Sequence, residues 1–188
     1  MARPRSDDKH SAILAAATRV IAAEGLGAAT ANIAKEAGVS NGSLFTYFET
    51  KSALLNQLYL HLKAEMGAAA MAGMPEDEHI RGRALRMWTQ WLKWAIENPA
   101  KRQTLERLMV SEELTPESHQ KGSQTMAGIR EILEQCRANG PMRDAPMGFV
   151  SGLMSALANA TIQYMVAEPA RAEEHLATGF EAFWRVVH

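Results

Sequence analysis

Apolar residues return every three or four positions along nearly all of this 188-residue chain. Nowhere does apolar–polar alternation persist long enough for a convincing strand. That periodicity restricts the fold to helices packed on helices. The stops are equally readable. Gly25, Gly38, the run AGMPEDE, Asn98-Pro99, Asn139-Gly140-Pro141 and Glu168-Pro169 each interrupt the pattern. The expected helices cover about 8–25, 31–37, 41–48, 51–71, 77–97, 99–111, 116–138, 145–167 and 169–187. The fold class is therefore all-α with about nine helices, three short and then six mostly long.

Composition narrows the class further. At 47% hydrophobic and 22% charged the chain is folded rather than disordered. A net charge of −1 supplies no global basic field, so any contact with nucleic acid must be local. A single cysteine, Cys136, excludes an intrachain disulfide and fits a reducing compartment. The start MARPRSDDKH has no apolar run behind its basic residues and is not a secretory signal. Residues 151–167 are apolar-rich but short for a bilayer span, and they include Asn159, Thr161, Gln163 and Tyr164. They read as a buried or interface helix of a cytoplasmic protein without a membrane partner.

The stretch AGVSNGSLFTYFETKSALL carries the most information. Gly38 can take positive φ and turn the chain between two short helices. Ala34 lets them pass closely, while Val39 and Leu44 fill the wedge. This is the spacing of a helix-turn-helix. Ser40 caps the second helix, and Thr50 caps the longer one after it. The outer surface presents Asn41, Gly42 and Ser43, then Thr46 and Tyr47. Asn41 can bond a base edge through two groups, and Ser43 can donate or accept. Gly42 allows close approach to the groove. Thr46 and Tyr47 can donate to phosphate oxygens. Lys51 opposes the dipole of the helix it begins, and a phosphate held there removes the conflict.

Residues 13–55 resemble the DNA-binding domain of the TetR family of transcriptional regulators. The matching pieces are ILAAATRVIAAEG, IAKEAGVS and GSLFTYFETKSALL. The resemblance implies an all-α homodimer whose recognition helices enter successive major grooves of double-stranded DNA. It implies a C-terminal small-molecule pocket and a dimer interface made by the last two helices. Thr30, Tyr47 and Lys51 would hold phosphates, Asn41 and Ser43 would read bases, and Gly42 would line the groove. With Ser40 and Thr46 these form the expected DNA-binding set. Phe45 stands where the family often has tyrosine, and the loop GLGAAT is a residue shorter than the common form. Arg3 and Arg5 precede the first helix and could reach the DNA backbone or a minor groove.

The expected division is a helix-turn-helix domain at 1–50 and a helical effector-binding and dimerisation domain at 51–188. The latter is rich in Trp and Met, which suit an apolar cavity of variable shape. Trp88, Trp91, Met109, Met126, Phe149, Met154 and Tyr164 are the candidate ligand-binding residues for a small hydrophobic effector. The small residues Gly152, Ser155, Ala156, Ala158, Asn159 and Ala160, with Phe180, Phe183 and Trp184, suit a symmetric four-helix contact.

An enzyme is not expected. The chain has no Gly-rich phosphate loop, nucleophile elbow or His-x-x-x-His pair. Its six histidines are scattered. Glu112 and Glu113 would diverge by about 100° on a helix. No metal or cofactor is expected. The reading is a ligand-responsive repressor released by an apolar molecule. Its rival is a helical dimerisation or interaction module that keeps the fold without specific DNA binding.

Overall fold

The computed structural model describes residues 3–75 and 78–188, and from residue 8 onward their side chains. Among them are ten α-helices and no strand: α1 Arg3–Glu24, α2 Thr30–Glu36, α3 Asn41–Tyr47, α4 Lys51–Ala70, α5 Ile80–Glu97, α6 Pro99–Met109, α7 Pro116–Gln124, α8 Ala127–Arg137, α9 Met147–Ala167 and α10 Ala172–Val187. A 3-10 turn, Pro169–Arg171, precedes α10. The all-α expectation holds, with one helix more than anticipated. The predicted helix at 116–138 is two. After Gly122-Ser123 the Thr125 hydroxyl bonds back to the Gly122 carbonyl at 2.7 Å, and Thr125 ends α7. Such side chains offer the backbone an alternative to the helical ladder.

The helices gather into two compact units. The first contains the chain up to Ala64 together with Asn98–Thr125. In it α1 buries Ile13, Leu14, Ala17, Val20 and Ile21, and α2 and α3 contribute Ile33, Ala34 and Leu44. Helix α6 packs along α1. Thr104, fully buried, donates to the Thr18 carbonyl at 2.9 Å. The Arg107 guanidinium donates to the carbonyls of Ile21 and Ala22, which lie in the last turn of α1. Those carbonyls make up the negative end of the α1 dipole, which a guanidinium complements. Helix α7 approaches α4 at Gly122, where even a Cβ would lie 2.6 Å from the Tyr59 ring.

The second unit contains Glu65–Glu97 and Met126–His188. Trp88 of α5 is its aromatic centre. It stacks on Phe183 at 5.6 Å and touches Phe180 at 6.5 Å and Trp91 at 6.3 Å. Helices α9 and α10 pack together closely at Gly179, where a Cβ would come within 2.1 Å of the Thr161 hydroxyl. Phe180 and Phe183 are buried on this side of α10. They serve the core of the unit rather than an outward face, which corrects their expected place in a dimer contact.

Candidate nucleic-acid interface

The turn between α2 and α3 is built from local bonds. Gly38 has φ +68°. The Val39 N–H bonds the Ala34 carbonyl at 3.0 Å, and the Gly38 N–H bonds the Lys35 carbonyl at 3.1 Å. This is a Schellman ending, which needs a left-handed residue where glycine stands. Two residues later Ser40 accepts the Ser43 N–H at 3.0 Å and caps α3. Stop and start signals two residues apart thus fix how α3 leaves α2.

Helix α3 buries Leu44 and exposes Asn41, Gly42, Phe45 and Thr46, with Ser43 and Tyr47 half-buried. Asn41 makes no side-chain hydrogen bond to the described residues, so its amide is available to a base edge. The Ser40 hydroxyl donates to the Ser43 hydroxyl at 2.8 Å. Ser43 therefore keeps its own O–H to donate outward, while Ser40 is occupied in capping. The Thr46 hydroxyl leans back on the Gly42 carbonyl at 3.3 Å. Phe45 is 39% exposed. It lies one turn beyond Asn41 and places an apolar ring on the outer face, a contribution its missing hydroxyl concealed in the sequence.

Helix α4 begins at Lys51 behind Thr50, whose hydroxyl accepts the Ala53 N–H at 3.0 Å. The N–H groups of Lys51 and Ser52 remain without intrahelical partners, as at any helix start. Thr30, an expected phosphate holder, is the first residue of α2. Ala29 occupies the cap position without a side-chain bond. Arg3 and Arg5 lie outside the described side chains. Two acidic residues of this unit are engaged elsewhere: Glu36 pairs with Arg19 at 2.7 Å, and Glu24 accepts from Asn32 at 2.9 Å.

Behind this surface lies a polar hub that sequence reasoning missed. Asn56 on α4 is 9% exposed. Its amide donates to the Ser52 and Glu113 carbonyls, each at 2.8 Å, and its oxygen accepts the Thr115 N–H at 2.9 Å. The Ser52 hydroxyl also donates to the Glu113 carbonyl at 3.3 Å. The first turns of α4 are thus tied to the α6–α7 loop. A lone Asn in an apolar helical stripe was the available signal, but it does not name its partner.

The candidate ligand-binding residues separate. Trp88 and Met154 are buried in the second unit, with Trp91 half-buried against Trp88. Met126 is half-buried just before α8. Phe149 and Tyr164 are 55% and 58% exposed on the outward side of α9, so the structure does not bring them to Trp88. Met109 is in the first unit and 45% exposed. Cys136 is buried, and burial pushes its thiol up to about 12, opposed only in part by the charge of Arg83. Among the described residues no cluster of His, Cys, Asp or Glu could hold a metal ion, and no helix is long and apolar enough to cross a membrane.

Residues 13–58 match the family model described as bacterial regulatory proteins, tetR family. Solved structures match along nearly the whole chain. A tetR family transcription regulator from Shewanella sp. PV-4 is 29% identical with a TM-score of 0.84, over 94% of this chain and 96% of that one. One from Marinobacter aquaeolei VT8 is 24% identical with a TM-score of 0.85, over 98% of each. The TetR-like regulator LfrR from Mycobacterium smegmatis, solved in complex with proflavine, shares the fold at 20% identity with a TM-score of 0.68, over 94% of this chain and 95% of that one. The N-terminal helices are thus a TetR-family DNA-binding domain, and the chain as a whole has the fold of that family's transcription regulators.

Proposed function

We propose that this protein is a homodimeric, sequence-specific repressor in the cytoplasm, released from double-stranded DNA by a small apolar molecule. The observation that carries the reading is the outer face of α3. It is held by the Gly38 turn and the Ser40 cap, and it offers Asn41, Gly42, Ser43, Phe45 and Thr46 to a groove. Asn41 and Ser43 read base edges, with Gly42 against the groove wall. Thr30, Thr46, Tyr47 and Lys51 hold phosphates, and the free N–H groups at the start of α4 support Lys51.

The proposed division of labour is DNA binding by residues 1–50, and effector binding and dimerisation by residues 51–188. Exposed Phe149, Gly152, Ala156, Ala160 and Tyr164 recur along α9 at helical spacing. That apolar stripe is the surface for a second copy. Two copies place their recognition helices one turn of DNA apart, roughly 34–36 Å. An apolar ligand favours a state with a different separation, and its effect is limited to its differential affinity for the two states. The complex of LfrR with proflavine supports a small-molecule ligand for this fold.

The test is retardation of duplex fragments from the protein's own upstream region across a salt series. Sequence-dependent retardation is expected. Asn41→Ala should relax discrimination at one or two base pairs. Tyr47→Ala or Lys51→Ala should weaken all fragments alike and flatten the salt dependence by about one charge. Retardation only at low salt, with no preference among fragments, would support the rival reading of an interaction module.

A further inference from the structure

Trp88 is fully buried, and its indole N–H has no hydrogen-bond partner among the described residues. A buried donor left unpaired is costly, and native cores leave few. Its ring neighbours cannot serve as acceptors of ordinary strength. Phe183 lies parallel to it at 5.6 Å and Phe180 is tilted at 6.5 Å. Trp91 is edge-to-face at 6.3 Å, which permits at most a weak contact with its π cloud. The same unit buries the flexible side chains of Met87, Met154 and Met165, which can repack around a guest.

We infer that the Trp88 indole N–H is the donor for an oxygen acceptor on an apolar ligand seated against these aromatic rings. The ligand class is an apolar body bearing a carbonyl or carboxylate oxygen, rather than a hydrocarbon. This rests on the effector-binding reading above and specifies the chemistry of that site. The reasoning is one of differential satisfaction. A hydrocarbon gains the same apolar contacts but leaves the N–H unpaired, whereas a ketone of equal shape pairs it.

The experiment compares acetophenone, benzoate and ethylbenzene, which share a ring and differ in the oxygen. Binding to the full-length protein without DNA is measured by calorimetry. The indole N–H resonances of nitrogen-15-labelled protein are followed in parallel and assigned with single Trp→Phe variants. Acetophenone, benzoate or both should bind about 3–10-fold more tightly than ethylbenzene, and shift the Trp88 N–H resonance downfield. Ethylbenzene should leave that resonance without a hydrogen-bond shift. Trp88→Phe should bring the oxygen-bearing ligands to the ethylbenzene affinity, and Trp184→Phe should preserve the difference. The resonance in the unaltered protein decides the matter even if Trp88→Phe fails to fold. Equal affinities, an unmoved Trp88 resonance, or no binding by any of the three up to their solubility limits would overturn the inference. Retardation of DNA in the same samples separates the two claims. Specific DNA binding without an oxygen preference overturns only the Trp88 assignment. An oxygen preference without any effect on DNA overturns only the repressor reading.

Discussion

Replacing Asn56 by alanine removes three short hydrogen bonds from one buried place. The Ser52 carbonyl loses least, because it keeps its position in the α4 ladder. The Glu113 carbonyl keeps the Ser52 hydroxyl at 3.3 Å. The Thr115 N–H has no such substitute. With about 0.5–1.5 kcal/mol for each bond, and more for the abandoned donor, the loss should be about 2–4 kcal/mol. Asn56→Asp tests the geometry more sharply. It keeps the acceptor for the Thr115 N–H but puts an oxygen where the amide stood, 2.8 Å from two carbonyls. Those lone pairs disfavour the carboxylate and raise its folded-state pKa above the unfolded value of about 3.9. A raised pKa means that the stability is present below about pH 4 and lost as the pH climbs through the folded-state value. The aspartate variant should therefore approach the parent protein near pH 4 and fall well below it at pH 7. Urea unfolding followed by circular dichroism measures both, provided the slopes stay parallel. An alanine variant within about 0.5 kcal/mol of the parent, or an aspartate variant whose deficit ignores pH, would refute the hub.

Three further outcomes follow from single positions. Gly38→Ala should cost about 1–2 kcal/mol from its backbone angle alone, since a Cβ there meets nothing within 4 Å. Gly38→Asn should cost less, and urea midpoints for the pair would expose the opposite order. Cys136 should resist iodoacetamide at pH 8 in the folded protein and react at once in urea. Because its folded-state value is raised, stability should decline as the pH rises from about 9 toward 12, and rapid native alkylation would contradict the burial. Phe45→Ala should erase any preference for thymine over deoxyuridine at one base pair of a selected DNA site, because an aromatic ring reads the thymine methyl. An unchanged response to the missing methyl would remove Phe45 from the base-reading face.

The sequence by itself determined the helical class, the order of the first four helices and the turn that joins α2 to α3. These are local matters. A left-handed glycine, a serine cap three residues before the N–H it holds, and apolar residues one turn apart act within a few positions, so their spacing can be read directly. Only the tertiary structure decided what packs on what. The partners of Asn56 lie 57 and 59 residues away at Glu113 and Thr115, and Arg107 reaches the end of α1 from α6. Gly122 and Gly179 look like helix weaknesses until Tyr59 and Thr161 are found against them. Periodicity marks Trp88, Phe149, Tyr164 and Phe180 alike as apolar. Which of them face inward depends on the shape of helices distant in the chain, and burial of apolar area has no direction of its own.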